Sequence, residues 1–215
     1  MNEAENRSGI RTGRQSLKPV YDLWLEKYGD VLEASRRQPV LDLGCGHGND
    51  SLYLTERGFQ VVSCDISEEA IAVLRAEVPA ARGMVADMRD GLPFDDGGFR
   101  VVIADLCLHY FSWADTVRIV GDIGRVLQSG GVLLCRLNSV SDVHYGAGQG
   151  ERLEENFYRI GGTEKRFFDQ PQIDALFAGW EKLHVGEYRM DRYKKPKMLW
   201  EVAAKKPERG EGGIL

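Results

Sequence analysis

The chain has 215 residues, the size of one large domain, and its 43% hydrophobic and 28% charged residues exclude a chain that is disordered throughout. Its net charge of −5 at pH 7 gives no electrostatic basis for binding nucleic acid, so we expect no nucleic-acid partner. The four cysteines, Cys45, Cys64, Cys107 and Cys135, lack the spacing of a zinc site or a disulfide framework. They are expected to be buried, reduced thiols, and no metal site is predicted.

Both ends of the sequence are polar and rich in glycine. Residues 1–16 and 207–215 are therefore predicted to be flexible ends, with a single domain between them at 17–206. The first residues lack the apolar core of a secretory signal, and no apolar run approaches the roughly 18–20 residues that cross a membrane. These features favour a cytoplasmic protein without a membrane partner.

The first predicted element is an amphipathic helix over residues 16–35. Its apolar residues recur at helical spacing, and they include Leu23, Trp24, Tyr28 and Leu32. We expect this helix to lie over the core or over a ligand cleft, with Trp24 helping to cover a substrate.

Short apolar runs alternate with helical stretches in the rest of the chain. The runs that are apolar on both faces are "PVLDLG", "QVVSCD", "ARGMVAD", "FRVVIADLCL" and "GGVLLCRLN". Runs of this kind, separated by helices, are typical of a parallel sheet that is covered on both sides. Near the end of the chain, "WEKLHVGEYRMDRY" and "KMLWEVAAKK" alternate enough to predict an antiparallel strand pair. The pattern therefore predicts a Rossmann-like α/β fold.

Residues 139–168 interrupt this rhythm with glycine, polar residues and scattered aromatics. A segment of this length in a compact domain is usually functional or mobile, so we interpret it as an insertion that acts as a lid. His144, Tyr145 and Arg166 lie in it and are candidate substrate contacts.

Three glycines, Gly44, Gly46 and Gly48, lie between the first predicted strand and the helix that follows. A turn of this composition lets the backbone approach a ligand and supplies N–H groups at a helix N-terminus. In an open α/β sheet the ligand lies beyond the carboxyl ends of the strands. The turn is therefore predicted to lie beneath a ligand. The spacing differs by one residue from the dinucleotide fingerprint, and a tight turn without a ligand is the alternative interpretation.

Two acids extend this predicted site along the strand ends. Asp65 closes the second strand about twenty residues after the glycines, where a carboxylate accepts hydrogen bonds from ribose hydroxyls. Nicotinamide and adenosyl cofactors both need such a group. Asp87 closes the third strand and is followed by Met88, a pairing suited to the amino group and ring of adenine.

Five segments carry a recognisable pattern over roughly residues 35–138: "VLDLGCGHG", "VVSCDIS", "GMVADMRDGLPF", "FRVVIADLCLHY" and "VLQSGGVLLCRLN". With them the chain resembles the class I S-adenosylmethionine-dependent methyltransferases. The resemblance implies a seven-stranded, mainly parallel sheet with an antiparallel last strand and helices on both faces. It also implies S-adenosylmethionine as cofactor and S-adenosylhomocysteine as product.

The resemblance further implies cofactor contacts. In such enzymes the backbone at Gly44 and Gly46 meets the methionine part, and Asp42 helps to hold its ammonium group. Asp65 meets the ribose and Asp87 the adenine. The full predicted set is Asp42, Gly44, Gly46, Gly48, Asp65, Ile66, Asp87, Met88 and Leu106.

A narrower resemblance concerns the acceptor. "GNDSLYLTERGFQV" and the C-terminal strand pair are similar to the small bacterial tellurite-resistance and thiopurine-type methyltransferases, although residues 139–168 depart from them. We therefore expect in-line transfer of a methyl group to a small molecule. His109, just past the fourth strand, is the candidate base, which a hydroxyl nucleophile needs and a thiolate does not. His109 and Tyr110 are also candidate substrate contacts.

Two alternatives remain at this stage. The protein could bind S-adenosylmethionine without catalysing a reaction, because a fold alone does not define a function. It could instead be a nicotinamide-dependent oxidoreductase, since Tyr193 and Lys197 have the Tyr-x-x-x-Lys spacing of short-chain dehydrogenases. Pro196 lies between them and is unfavourable in the helix which that arrangement requires.

Overall fold

The structure, a computed structural model, describes residues 18–207. Its strands are β1 (Val40–Leu43), β2 (Val61–Asp65), β3 (Arg82–Val85), β4 (Phe99–Asp105), β5 (Leu127–Asn138), β6 (Glu151–Glu154), β7 (Phe157–Ile160), β8 (Thr163–Arg166), β9 (Glu181–Met190) and β10 (Lys197–Lys205). Its helices are α1 (Gly29–Glu33), α2 (Asn49–Glu56), α3 (Glu68–Glu77), α4 (Trp113–Val126) and α5 (Gln170–Leu176).

Seven of these strands form one sheet in the order β3-β2-β1-β4-β5-β10-β9. Strands β1 to β5 are parallel, and β10 runs antiparallel to both of its neighbours, β5 and β9. The predicted seven-stranded, mainly parallel sheet with an antiparallel last strand is thereby confirmed. The strand order reverses between β1 and β4, which is where α/β proteins of this kind bind ligands.

The central strands β1, β4 and β5 are buried on both faces, as the continuous apolar runs predict, whereas the edge strands β3 and β9 are largely exposed. Along β4, Val101 packs into a cluster that contains Leu74 of α3, whereas the next residue, Val102, packs into a second cluster that contains Ile123 of α4. Successive side chains of a strand point to opposite faces, so a strand between two helical layers needs apolar residues at every position.

Local sequence defines where several helices begin. The Ser67 hydroxyl accepts a hydrogen bond from the Ala70 N–H at 3.1 Å and caps α3. Asp169 and Gln172 form a reciprocal capping box at the start of α5. Each cap satisfies N–H groups that the first helical turn leaves unpaired.

The opening segment differs from its prediction. Instead of one helix over residues 16–35, the described part contains a single 3₁₀ turn, Glu26–Tyr28, followed by the short helix α1. Upstream of the turn the chain is irregular, because tertiary hydrogen bonds hold it: the Val20 N–H donates to Asn49 Oδ1 at 2.8 Å and Trp24 Nε1 donates to Asp50 Oδ1 at 2.9 Å. These contacts with α2 outweigh the helical periodicity.

Residues 139–168 contain an antiparallel sheet of three strands, β6-β7-β8, which the sequence did not predict. Arg166 fastens this sheet to the segment that follows β4. It is 1% exposed, its Nε donates to the Phe111 carbonyl at 3.2 Å, its Nη1 donates to the Glu155 carbonyl at 3.1 Å, and its Nη2 pairs with Glu154. Arg166 therefore has a structural role in this sheet, and its predicted contact with substrate stays a prediction.

Two further expectations concern the ends of the chain and membranes. Residues 1–16 and 208–215, predicted to be flexible, lie outside the described residues. Across residues 18–207, every helix is too short or too polar to cross a bilayer.

The sheet β6-β7-β8 carries a buried arginine, Arg166, and an exposed one, Arg159, so the contributions of the two side chains to stability can be compared. Replacing Arg166 by Met should lower the free energy of unfolding by about 2–3 kcal/mol, because the part-buried carbonyls of Phe111 and Glu155 lose a charged donor. Arg159→Met is the matched control, since Arg159 is exposed and pairs with Glu151 and Glu164 on the same sheet. It should be within error of wild type in urea unfolding. Equal losses for the two variants would contradict the role given to Arg166.

Candidate functional site

A cavity of about 450 Å³ opens at the edge of the sheet where the strand order reverses. Its walls come from the segments that follow β1, β2, β3 and β4. The lining residues are Gly44, Gly46, Asp65, Ile66, Ala86, Asp87, Met88, Arg89, Leu106, Cys107, Tyr110 and Phe111. The structure thus brings together all the predicted cofactor residues except Asp42 and Gly48. We call this space the first cavity.

The glycine turn lacks side chains for two different reasons. Gly44 and Gly46 both have positive φ, +63° and +52°, which glycine adopts without steric cost. A Cβ on Gly44 would lie only 2.3 Å from Cβ of Cys107, so the turn and the segment after β4 could not approach as they do. A Cβ on Gly46 would meet nothing within 4 Å. Gly46 therefore leaves bare backbone facing open space.

Gly48 contributes to packing rather than to the cavity wall. It precedes α2 with φ +95°, and a Cβ there would lie 2.3 Å from Cδ1 of Leu74 on α3. The glycine is needed here because α2 begins against α3, and its predicted contact with the cofactor stays a prediction.

The Asp65 carboxylate is held by backbone amides at the end of β2. Its Oδ2 accepts a hydrogen bond from the Gly46 N–H at 2.9 Å, and its Oδ1 accepts one from the Ser67 N–H at 2.9 Å. Ile66, 58% exposed, forms the wall beside it. A carboxylate fixed in this way has acceptor capacity left for a ligand diol, because each oxygen has two lone pairs.

Asp87 lies on the far wall of the first cavity and is paired with a residue that sequence reasoning missed. It accepts a hydrogen bond from the Arg89 N–H at 2.8 Å, and its Oδ2 lies 2.6 Å from Nη2 of Arg89. This hydrogen-bonded pairing with the Arg89 side chain lowers the pKa of Asp87. Arg89 also lines the cavity. The only signal in the sequence was its position two residues after a predicted site residue.

Leu106 ends β4 in a left-handed conformation, with φ +53°. Its N–H donates to the Arg136 carbonyl at 3.0 Å, and the next residue, Cys107, donates from Sγ to the Leu43 carbonyl at 3.1 Å. A non-glycine residue persists in this region only where its surroundings enforce it, and such strain clusters at functional sites. The turn directs Tyr110 and Phe111 towards the cavity.

Asp42 lies behind the glycine turn and does not line the first cavity. It is 2% exposed, and its Oδ2 accepts a hydrogen bond from Ser51 Oγ at 2.5 Å. Burial, opposed by the Ser51 hydrogen bond and reinforced by the charge of Asp105, raises the pKa of Asp42 to about 7. The structure places Asp42 beneath the turn, and its predicted contact with the cofactor stays a prediction.

His109 is also more deeply buried than its predicted role requires. It is 3% exposed, its ring lies 4.2 Å from the ring of Tyr110, and it is absent from the cavity wall, whereas Tyr110 is present. Burial, with the charges of Lys197 and Lys165, holds the pKa of His109 well below its ordinary value, so the imidazole is neutral at neutral pH. Within residues 18–207 its Nδ1 has no hydrogen-bond partner. Its predicted contact with substrate is not supported in this conformation.

The candidate substrate contacts of the insertion lie away from the first cavity. His144 is exposed, and the Tyr145 hydroxyl donates to the Lys195 carbonyl at 2.9 Å. Neither residue lines the cavity. The insertion contacts the segment after β4 and the start of β10 instead of extending over the glycine turn, so these predicted contacts are not brought to the site.

The Tyr193 and Lys197 pair does not form an oxidoreductase site. Tyr193 lies between β9 and β10, and Lys197 begins β10, so the two are not on one helix. Lys197 Nζ is 2.8 Å from Asp142 Oδ2 in a buried ion pair. The oxidoreductase alternative is thereby wrong with respect to these residues.

A second cavity of about 460 Å³ lies between the opening segment and the strands β9 and β10. It was not predicted. Its lining residues are Val20, Tyr21, Asp22, Trp24, Arg136, Tyr188, Arg189, Met190, Asp191, Arg192, Leu199 and Glu201. Arg136 on its wall donates two hydrogen bonds, both 2.6 Å, to Asp105, and Asp105 directly precedes Leu106 of the first cavity. One ion pair therefore joins the walls of the two cavities.

These features define a Rossmann-like α/β protein with a ligand cavity at the reversal of strand order. Comparison with known proteins extends this assignment. Residues 40–131 match the family model of a methyltransferase domain. An uncharacterized methyltransferase of Synechocystis sp. is 37% identical over 101 residues, which are 47% of this chain and 47% of that protein. The Bacillus subtilis protein YqeM is 32% identical over 173 residues, 77% of this chain and 63% of that protein.

The chain spans about half the length of the curated relatives it matches. Among solved structures, a methyltransferase from Methanosarcina mazei aligns with a TM-score of 0.69 and 20% identity over 79% of this chain and 92% of that chain. A Burkholderia thailandensis methyltransferase with bound S-adenosylhomocysteine aligns with a TM-score of 0.62 and 20% identity over 83% of this chain and 76% of that chain. These comparisons confirm the resemblance to the class I S-adenosylmethionine-dependent methyltransferases and S-adenosylmethionine as the cofactor.

The two glycines that differ in role give a matched pair of variants. Gly48→Ala should lower the free energy of unfolding by about 2–4 kcal/mol, through left-handed strain and the clash with Leu74. Gly46→Ala should cost only about 1–2 kcal/mol, for the backbone, but should weaken S-adenosylhomocysteine binding because its methyl group enters the first cavity. Urea unfolding and calorimetry measure the two effects. If only Gly48→Ala bound S-adenosylhomocysteine more weakly than wild type, the roles given to Gly46 and Gly48 would be reversed.

The raised pKa of Asp42 predicts a pH dependence. Between pH 3.8 and about 7 the unfolded chain loses this proton while the folded protein retains it. The free energy of unfolding of wild type should therefore fall relative to that of Asp42→Asn as the pH rises through this window, by up to about 1.4 kcal/mol per pH unit. Urea unfolding of both proteins across the window measures the difference. Parallel pH profiles would rule out a protonated Asp42.

Proposed function

We propose that this protein transfers a methyl group from S-adenosylmethionine to a small-molecule acceptor. The observation that carries the proposal is the first cavity itself, where bare backbone at Gly46 lies beside a fixed carboxylate, Asp65, at the reversal of strand order. A second carboxylate, Asp87, and the apolar side chains of Ile66 and Met88 complete the walls.

Each of these groups suits one part of the cofactor. Asp65 has the acceptor capacity to receive the ribose hydroxyls, and Asp87 receives the adenine amino group in exchange for one of its contacts with the Arg89 side chain. Ile66 and Met88 offer apolar surface to the adenine ring. The Gly44 and Gly46 backbone accommodates the methionine part, and Asp42 acts as a positioning residue from beneath the turn through Ser51.

S-adenosylmethionine supplies an electrophilic methyl group on a cationic sulfonium, and transfer is an in-line displacement. The protein must then hold an acceptor atom about 3–3.5 Å from that methyl group and aligned with it. Tyr110 and Phe111 on the cavity wall offer aromatic faces to the cation. A thiolate acceptor needs no base. For a hydroxyl acceptor, neutral His109 has the right protonation state, but a rearrangement of the Leu108–Tyr110 turn would have to expose it.

The insertion supports the cavity rim in this proposal. Arg166 donates to the carbonyl of Phe111, which lines the first cavity. The proposal includes closure of residues 139–168 over the substrate, as the sequence predicts.

A small-molecule acceptor is supported by charge and by the size of the second cavity. The chain has a net charge of −5, and two cations near the ligand edge are paired, Arg189 with Asp191 and Lys197 with Asp142. A nucleic-acid site requires a basic surface. The second cavity, about 460 Å³, has the size of a small-molecule pocket.

A tRNA acceptor is the second candidate, and it rests on one relative. The tRNA N(3)-cytidine methyltransferase of Danio rerio is 30% identical over 183 residues, 78% of this chain and 50% of that protein. A malonyl-[acyl-carrier protein] O-methyltransferase of Pectobacterium atrosepticum is equally similar, at 30% over 139 residues, 63% of this chain and 51% of that protein. Methyl transfer to total tRNA, measured beside a panel of thiols, phenols and carboxylic acids, separates the two candidates.

Cofactor binding is tested by calorimetry with S-adenosylmethionine, S-adenosylhomocysteine and NAD. The two adenosyl ligands should bind and NAD should not. Asp65→Ala should weaken S-adenosylhomocysteine by about 10–100-fold, since two hydrogen bonds to the ribose are lost. Glu77→Ala, at the exposed end of α3, is the control and should bind as wild type does. Binding of NAD alone, or of none of the three, would refute the proposed function.

A further inference from the structure

The second cavity contains more buried charge than a structural interface between two segments needs. Its inner wall carries Arg136, which is 3% exposed, and Arg192, whose side chain is 20% exposed. Both guanidinium groups face Asp22 of the opening segment. Nη1 of Arg136 lies 3.0 Å from Asp22 Oδ2, and Nη1 of Arg192 lies 3.6 Å from the same oxygen.

One donor in this group is left without an acceptor. Among the described residues, Nη1 of Arg192 is buried and makes no hydrogen bond, because Asp22 is an ion-pair neighbour beyond hydrogen-bonding distance. Its Nη2 has a weak contact of 3.4 Å with Asp105. A buried donor without an acceptor is uncommon in proteins and usually has a functional or solvent explanation. Here it leaves Arg192 with a donor that the oxyanion of a ligand can satisfy.

The charges around Asp22 balance only while Asp22 is present. Arg136 and Arg192 supply two positive charges, and Asp105 and Asp22 supply two negative ones. Burial, with the charges of Asp105 and Asp42, raises the pKa of the nearby Asp50 well above its ordinary value and favours its neutral form. Asp105 is fixed at the end of β4, whereas Asp22 lies in an irregular segment and is 29% exposed. Without the Asp22 carboxylate, Arg136, Arg192 and Asp105 together carry one net positive charge.

The rest of the wall is mixed: Arg189, Asp191 and Glu201 are charged, and its other side chains are aromatic or apolar. The Trp24 ring lies 4.5 Å from the Arg136 guanidinium in a cation–π arrangement. Tyr188, Met190 and Leu199 line the opposite side. Such walls accommodate a small aromatic or branched apolar body, while the guanidinium pair selects its acidic group.

We propose that the second cavity binds the acceptor and that the acceptor is a small apolar carboxylic acid, whose carboxylate replaces that of Asp22 between Arg192 and Arg136. This inference rests on the proposed function. The Asp105–Leu106 link between the two cavity walls brings this acid next to the first cavity. Asp22 then occupies the carboxylate position in the free protein, and the opening segment moves aside when an acceptor binds.

Calorimetry with matched acids and amides tests this, in the presence of saturating S-adenosylhomocysteine. The probes are benzoate, 4-hydroxybenzoate and indole-3-carboxylate, each compared with its neutral amide. Wild type should bind at least one acid about tenfold or more tightly than its amide. Arg192→Gln should abolish this preference. Asp22→Asn should tighten binding of the acid several-fold, because the competing internal carboxylate has lost its charge.

Arg189→Gln is the matched control. Arg189 lines the same cavity, but it is exposed and pairs with Asp191, so its loss should leave the preference for the acid unchanged. Arg192→Gln should retain wild-type affinity for S-adenosylhomocysteine. A wild type that binds S-adenosylhomocysteine but no acid more tightly than its amide would overturn the inference and leave the proposed function intact. An Arg192→Gln protein that loses S-adenosylhomocysteine would overturn it too, since Arg192 would then serve the cofactor.

If wild type fails to bind S-adenosylhomocysteine, the proposed function fails, and the acid and amide titrations are repeated without it. A retained preference that depends on Arg192 would still support an anion site in the second cavity. Weaker binding of the acids by Asp22→Asn than by wild type would contradict replacement of the Asp22 carboxylate.

Discussion

The close approach of the turn after β1 to the segment after β4 is the constraint on which the ligand edge depends. Only a residue without Cβ fits at Gly44, because Cys107 occupies the space that a Cβ would take. On the other side of the contact, Cys107 is placed by the left-handed backbone of Leu106 and bonds to the Leu43 carbonyl. The carboxyl ends of β1 and β4, between which the strand order reverses, are thus held in close contact. The first cavity opens beside this contact, and the backbone of the glycine turn forms its floor.

The same edge gathers acids that would repel one another, and the structure neutralises each in a different way. Asp65 is stabilised by two backbone amides, and Asp105 by the bidentate Arg136. Asp42, enclosed between them without a cation, has a pKa raised to about 7 by burial first and by its neighbours second. This concentration of negative charge and neutral acid suits a ligand that carries a sulfonium and an ammonium group, since a bound cation would restore the ionised form of Asp42.

Sequence patterns predicted what depends on local chemistry. The strand runs, the glycine turn and the acids at the ends of β2 and β3 were readable because each follows from periodicity or from the geometry of a strand end. Asp42 and Gly48 share the glycine-turn motif but are turned away by packing against Ser51 and Leu74, which only the folded chain reveals. The structural role of Arg166 and the second cavity were missed because both depend on contacts between segments far apart in sequence, such as Arg166 with Phe111 and Asp22 with Arg136.

The first turn of α2 connects the two cavities physically. It begins directly after the glycine turn, and its residues Asn49 and Asp50 hold the opening segment by hydrogen bonds to Val20 and Trp24. Val20 and Trp24 line the second cavity, together with Asp22 between them in sequence. A shift of the glycine turn that moved this helix end would therefore also move the wall against which an acceptor packs. Coupling of this kind needs no long pathway, because one helical turn carries contacts to both sites. The opening segment, which was predicted as a plain amphipathic helix, is irregular for this reason: its side chains and its Val20 amide are engaged by α2 instead of by a helix of its own.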